Sequence, residues 1–211
     1  MKKLSIAFTV ALVLAGVACA ASNTVVLGYT KITVPADQRV LVSLNYDNEN
    51  NTVNGLFGNL PVGSSVYIWD TESQNYTVIS NEVTGWGPLG TNRIQTGGGV
   101  FVTLPAGVQT NMILSGNVPN AETSAVYKAT GYTMVSYPYP VLMPFTNTAL
   151  AKTAAIGDQI SVWQNNSWTI YSNTPAGWTG AEDLKMKPGQ AFFFRAASSG
   201  SATETRPYTI D

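Results

Sequence analysis

Short runs of alternating apolar and polar residues, separated by turn residues, make up most of the chain. In the run at 66–69, Val66 and Ile68 are expected to face one side of a strand, and Tyr67 and Trp69 the other. A period of two is typical of β-strands. Gly, Asn, Asp and Pro bound these runs, as they do at turns between strands. The pattern predicts an all-β protein whose strands are mainly antiparallel.

The same blocks of sequence occur twice, in the same order. The block at 42–46 returns at 135–139, and the block at 62–69 returns at 156–163, each time about 93 residues later. A fixed period of this kind is the signature of a repeat architecture. We therefore predict two tandem β-sandwich or barrel-like repeats.

The repeats and an N-terminal leader divide the chain into four parts. We predict a signal peptide at 1–20, a first repeat at 21–118, a short linker at 119–125 and a second repeat at 126–211. The first repeat carries an extra N-terminal strand at 24–31 that has no obvious duplicate. That strand either covers the edge of its own sheet or adds to the edge of a neighbouring molecule.

One short helical turn is expected within each repeat, and the sequence favours it more in the second repeat than in the first. In the second repeat, residues 146–153 have the composition of a helical turn. Its counterpart near Val53 contains Gly55 and Gly58, and glycine disfavours the helix because it loses the most backbone freedom. We therefore expect a poor helix in the first repeat.

The N-terminus has the three parts of a secretory signal peptide. Two lysines precede an almost wholly apolar run at 4–18, and small residues surround Cys19 at the predicted cleavage site. The apolar run is shorter than the roughly 20 residues that cross a bilayer. We expect a secreted, cell-surface or periplasmic protein with no transmembrane segment in its mature chain. Cys19, the only cysteine, either leaves with the leader or carries a lipid.

The second repeat carries the fuller form of the motif, and the first departs from it at Asn45, Ser64 and Thr96. The residues of this motif are Tyr132, Val135, Ser136, Pro138, Gly157, Asp158, Trp163, Gly177, Trp178, Pro188, Gly189, Phe192 and Phe193. The motif resembles a repeat that is common in secreted proteins of planctomycete and verrucomicrobial bacteria. The resemblance implies a secreted β module and supplies no catalytic residue.

Composition argues against most catalytic and metal chemistry. The sequence has no His and one Cys, so catalytic triads and the usual zinc sites lack their essential groups. The oxygen-rich run at 47–51 lacks the Gly and Glu that complete a calcium loop. Charged residues make up only 11% of the chain, and no basic patch indicates nucleic-acid binding. We predict a protein that is not an enzyme and that has no metal or cofactor.

One pair of aromatic residues is a candidate for ligand binding. Tyr76 in the first repeat corresponds to Trp168 in the second, beside Asn75 and near Asn166 respectively. Aromatic rings next to polar side chains can stack on sugar rings, although packing in the core is the alternative. We predict a binding platform of Tyr76, Trp168, Asn75 and Asn166. The other four tryptophans, which pair up between the repeats, are expected in the core: Trp69, Trp86, Trp163 and Trp178.

These features favour a secreted structural protein of the cell surface or envelope. Low charge and exposed strand edges favour association with copies of itself, as a homo-oligomer or a fibre. The alternative is a β module that binds an envelope glycan or another partner.

Overall fold

The computed structural model describes residues 26–210. The predicted leader and Cys19 lie outside the described residues. The strands of the first half are β1 (Leu27–Val34), β2 (Arg39–Ser43), β3 (Ser65–Asp70), β4 (Asn75–Ser80), β5 (Gly99–Thr103) and β6 (Thr110–Asn117). Those of the second half are β7 (Thr123–Tyr127), β8 (Tyr132–Ser136), β9 (Met143–Pro144), β10 (Gln159–Gln164), β11 (Ser167–Thr174), β12 (Gly177–Thr179), β13 (Lys185–Met186), β14 (Ala191–Arg195) and β15 (Gly200–Glu204).

The strands form two main sheets, each with a separate two-stranded ribbon. The first sheet has the order β2-β5-β3-β4, and its ribbon pairs β1 with β6. The second sheet has the order β8-β14-β10-β11-β12, and its ribbon pairs β7 with β15. A small pair, β9 with β13, completes the second half. All these strand pairs are antiparallel. The prediction of an all-β, mainly antiparallel fold is confirmed.

The two halves use their strands in a similar order along the chain. Each begins with a ribbon strand, continues with an edge strand, a short helix and a hairpin, and ends with a central strand and the second ribbon strand. This order is compatible with a tandem duplication, which stays a prediction.

Two predictions about the strands differ from the structure. The linker predicted at 119–125 runs into β7, which begins at Thr123 and pairs with β15. The N-terminal strand also has a structural counterpart, because β7 takes in the second half the place that β1 takes in the first. The repeat pattern in the sequence does not reveal this correspondence, because β1 and β7 differ in length and in most of their side chains.

A helix forms in both halves, including the half in which glycines argued against it. Helix α1 (Val53–Phe57) begins after Thr52, whose side chain accepts a hydrogen bond from the backbone N–H of Gly55. Its Val53 and Phe57 side chains are buried, so tertiary packing outweighs the weak local preference. Helix α2 (Ala149–Thr153), inside the predicted segment, has the same kind of cap on Thr148. A helix of five residues therefore forms at the place where the glycines predicted a poor one.

Each half has its own apolar core, and a third apolar cluster lies between the two main sheets. Val66 lies in the first core with Ile68 packed against it, while Tyr67 and Trp69 pack against the third cluster, as the alternation predicted. We call this third cluster the seam. Its buried residues are Leu41, Phe101, Met134, Ala191 and Phe193, and the partly buried ones are Tyr67, Trp69, Tyr76 and Trp163.

Hydrogen bonds cross the seam in matched pairs. The indole Nε1 of Trp69 donates to the carbonyl oxygen of Tyr132 over 2.8 Å, and the indole Nε1 of Trp163 donates to that of Arg39 over 2.7 Å. Tyr132 begins β8 and Arg39 begins β2, so each half donates one of these two equivalent bonds and accepts the other. A reciprocal pattern of this kind is that of an interface with a two-fold axis. Trp69 and Trp163 therefore join the halves, while Trp86 and Trp178 are buried within them.

Candidate functional site

The strand registers bring the aromatic residues of the seam together. In the first sheet Trp69 lies opposite Tyr76, and their ring centroids are 4.8 Å apart. In the second sheet Trp163 lies opposite Trp168 at 4.9 Å. Residues that lie opposite on neighbouring strands share one face of the sheet. Because these faces meet at the seam, residues more than 90 positions apart in sequence form one cluster.

Two phenylalanines fill the space between the hairpins. The ring of Phe101 lies 5.6 Å from Trp163 and 5.8 Å from Trp168, and both pairs are nearly perpendicular. The ring of Phe193 lies 5.2 Å from Trp69, again edge to face, and 5.5 Å from Trp168. Edge-to-face contacts are a favoured geometry for packed aromatic rings. Most of this cluster therefore serves to hold the two sheets together.

One side of the cluster opens into an aromatic pocket of about 270 Å³. Tyr76 and Trp168 both line it, and Trp168 is 40% exposed. The structure thus brings together the two predicted aromatic residues, which come from different halves of the chain. The other lining residues are Trp69, Tyr132, Ser161, Ile170 and Phe193.

The two predicted asparagines do not join this pocket. Asn75 precedes Tyr76 in β4, and successive side chains of a strand point to opposite faces. Asn166 lies in the turn between β10 and β11, with a φ angle of 58°, and lines a different pocket beside Arg39. Of the four residues of the predicted platform, only Tyr76 and Trp168 therefore line this pocket, because adjacency in sequence did not translate into a shared face.

The electrostatics of the pocket are set by burial and by one cation. Burial raises the pKa of the Tyr76 hydroxyl, and the charge of Arg39 acts in the opposite direction. The guanidinium carbon of Arg39 lies 4.6 Å from the ring centre of Tyr67 and 5.3 Å from that of Phe101. At neutral pH the Tyr76 hydroxyl is therefore protonated and available as a hydrogen-bond donor.

The two buried carboxylates of the second half are both engaged by backbone groups. Asp158 accepts hydrogen bonds from the backbone N–H groups of Ala155 and Ala197. Glu204 accepts from those of Ala149 and Leu150, at the start of α2. These bonds give both acids a structural role, which the sequence analysis did not predict.

Within residues 26–210, no group of three or more His, Cys, Asp or Glu side chains is placed to hold a metal ion. In the oxygen-rich run, Asp47 accepts a hydrogen bond from Thr96, and its backbone pairs with Asn117. In the same part of the chain, no helix has the length and hydropathy of a membrane span.

Comparison with protein-family models, curated proteins and solved structures found no match. The resemblance to planctomycete and verrucomicrobial repeat proteins therefore stays a prediction. The chemistry of the site is argued from its own residues.

Three tyrosines of the second core, together with Tyr76 at the seam, give a prediction about alkaline pH. Burial raises the pKa of Tyr208 to about 12, and it also raises the pKa values of Tyr76, Tyr137 and Tyr139. In the unfolded chain each hydroxyl has a pKa near its ordinary value of about 10. The unfolded state thus loses these protons first, so stability is complete below about pH 10 and falls as pH rises towards 12.

Ultraviolet absorbance of tyrosinate measures this directly. Of the ten tyrosines, we expect these four to ionise only at higher pH or together with unfolding. In concentrated urea all ten should titrate near pH 10. A folded protein whose tyrosines all titrate near pH 10 would contradict the prediction.

Proposed function

We propose that this chain is an exported structural protein of the cell surface or envelope, which assembles with copies of itself through the free edge of strand β1. The leader pattern supports export, and the low fraction of charged residues supports close association of copies. The observation that carries the proposal is the state of β1, an eight-residue strand that pairs on one side only within residues 26–210.

The hydrogen-bonding pattern of the ribbon identifies which groups of β1 point away from it. Asn117 of β6 exchanges both of its backbone hydrogen bonds with Asp47, so it points away from β1. Its partner in the register is Leu27. Because antiparallel pairs alternate, Leu27, Tyr29 and every second residue onward direct their N–H and C=O groups to the free edge.

The outer face of the ribbon carries three exposed apolar or aromatic side chains among polar ones. Leu27 is 76% exposed, Tyr29 71% and Ile113 61%. Lys31 and Thr33 are also exposed on β1. A long strand with an unpaired edge is a template for adding another strand, and β1 has one charged residue, Lys31, and no proline.

A second copy of β1 fits this edge in an antiparallel register. Centring the two-fold axis on Thr30 places Leu27 opposite Thr33 of the second copy and Tyr29 opposite Lys31. No like charges then meet, and the outward backbone groups of both strands pair. The result is a four-stranded sheet that runs through two molecules.

Concentration-dependent association of residues 21–211 tests the proposal. We expect dimers or larger assemblies by light scattering and negative-stain electron microscopy. Tyr29→Pro should produce monomers, because it removes an outward N–H while leaving the bonds to β6 in place. Leu27→Lys should weaken assembly, whereas Val83→Lys, at an exposed valine away from β1, should not.

Near-ultraviolet circular dichroism of each variant reports whether the fold is kept. The proposal fails if the unaltered chain stays monomeric at every concentration. It also fails if a folded Tyr29→Pro variant assembles like the unaltered chain.

A second candidate function, glycan binding, rests on the aromatic pocket. Tyr76 and Trp168 line one pocket, and the exposed part of Trp168 offers a surface on which a sugar ring can stack. Titration with soluble peptidoglycan fragments should change tryptophan fluorescence. Trp168→Ala should abolish the change, and Tyr29→Pro should leave it intact. A change that persists in a folded Trp168→Ala variant would rule the pocket out.

A further inference from the structure

A second pocket, of about 300 Å³, lies between the β7–β15 ribbon and strand β8. Strand β8 is an edge strand of its sheet. The loop at 95–98 of the first half forms another wall, so the pocket lies where the two halves meet. We call it the ribbon pocket.

The ribbon pocket occupies space that larger side chains fill in the first half. In the β1–β6 ribbon, Ile32 lies opposite Met112, and both pack on the first core. At the same distance from the end of its strand, β7 carries Ala125 opposite Ala202. Both alanines line the ribbon pocket. The change from two large side chains to two small ones leaves room for other atoms.

The neighbouring pair of positions changes in polarity as well as in size. Thr30 lies opposite Leu114 in the first ribbon, whereas Thr123 lies opposite Glu204 in the second. Among residues 26–210, Glu204 is the only charged residue that lines the pocket. Because its carboxylate has no cation beside it among the lining residues, the pocket disfavours anions.

Two buried hydroxyl groups in the lining have no hydrogen-bond partner within residues 26–210. They are Oγ1 of Thr133 and Oγ of Ser136, whose residues are 5% and 7% exposed. Buried polar groups are almost always hydrogen-bonded, so each unpaired group needs an explanation. Thr133 shares a face of β8 with Val135, on the side of the second core, whereas Ser136 lies on the opposite face. A ligand in the pocket that bonds to the Thr133 hydroxyl supplies the explanation for that group.

We propose that the ribbon pocket binds a small uncharged organic molecule with an apolar body and one hydroxyl or carbonyl group. The body packs against Val135, Leu150 and Phe192, and the polar group hydrogen-bonds to Thr133 on the same face of β8. Ligand pockets commonly combine mostly apolar walls with a few polar groups, and this volume is at the small end of their range. This site is separate from β1 and goes beyond the proposed assembly.

Fluorine NMR with three probes tests the ribbon pocket. The probes are 4-fluorophenol, fluorobenzene and 4-fluorobenzoate, added to residues 21–211. We expect saturable broadening for 4-fluorophenol, weaker binding for fluorobenzene and none for the anionic benzoate. Thr133→Val should weaken 4-fluorophenol binding by roughly fivefold to tenfold, the effect of one hydrogen bond, without changing fluorobenzene binding.

Filling variants identify where the probes bind. Ala202→Met introduces the side chain that Met112 has at the matching position of the first ribbon, and it should abolish binding because it fills the pocket. Ala125→Ile, at a partly exposed position, gives the same test if Ala202→Met does not fold. Ala176→Met, at an exposed alanine, is the matched control and should bind normally. The inference is overturned if no probe shows saturable binding, or if binding persists in a folded filling variant.

Discussion

Replacing Phe101 by alanine is expected to lower the free energy of unfolding by about 3 to 5 kcal/mol. The side chain is 1% exposed and contacts aromatic residues of both halves, among them Tyr76 and Trp163. Its removal leaves a cavity at the centre of the seam, which the surrounding rings cannot fill without losing their edge-to-face contacts. Urea denaturation followed by tryptophan fluorescence measures the loss.

An exposed isoleucine provides the control for this change. Ile113→Ala, on the outer face of β6, should alter the free energy of unfolding by less than about 0.5 kcal/mol. A loss of under about 1 kcal/mol for Phe101→Ala would mean that the seam contributes little to stability. The two halves would then be held together mainly by their hydrogen bonds.

Replacing Asp158 by alanine is expected to lower the free energy of unfolding by about 2 to 3 kcal/mol, because two part-buried backbone N–H groups lose a charged acceptor. The side chain is 2% exposed and accepts from Ala155 over 2.8 Å and from Ala197 over 2.7 Å. These bonds connect the start of β10 to the segment after β14. Thermal and urea unfolding both measure this loss in the free energy of unfolding.

Two further variants distinguish the effect of losing the Asp158 hydrogen-bond acceptor from the effect of losing a negative charge. Asp158→Asn keeps one carbonyl oxygen and should lose less stability than Asp158→Ala. Asp183→Ala removes an exposed acid and should be nearly neutral. Equal effects of Asp158→Ala and Asp183→Ala would contradict a structural role for Asp158.

The proposed assembly, the glycan candidate and the ribbon pocket depend on different residues. Tyr29 lies on the ribbon of the first half, Trp168 lies at the seam, and Thr133 lies in the ribbon pocket. A variant at one place should therefore leave the other two activities unchanged. This separation makes each proposal testable independently of the others.

The sequence by itself determined the fold class and many of the strands, although it assigned the start of β7 to a linker. The alternation at 66–69 placed Val66 and Trp69 on opposite faces of a strand, as observed. It also predicted the second helix, now α2. These features depend on interactions within a strand or a turn, so the local order of side chains is sufficient to reveal them.

Only the tertiary structure decided how the halves meet and what they enclose. Because β7 pairs with β15, it occupies in the second half the place that β1 occupies in the first. Helix α1 forms despite its glycines because its Val53 and Phe57 side chains are buried. The seam brought Tyr76 and Trp168 together and left Asn75 and Asn166 outside. Pockets depend on contacts between residues far apart in the chain. The local pattern of apolar and polar residues does not predict which distant residues make contact.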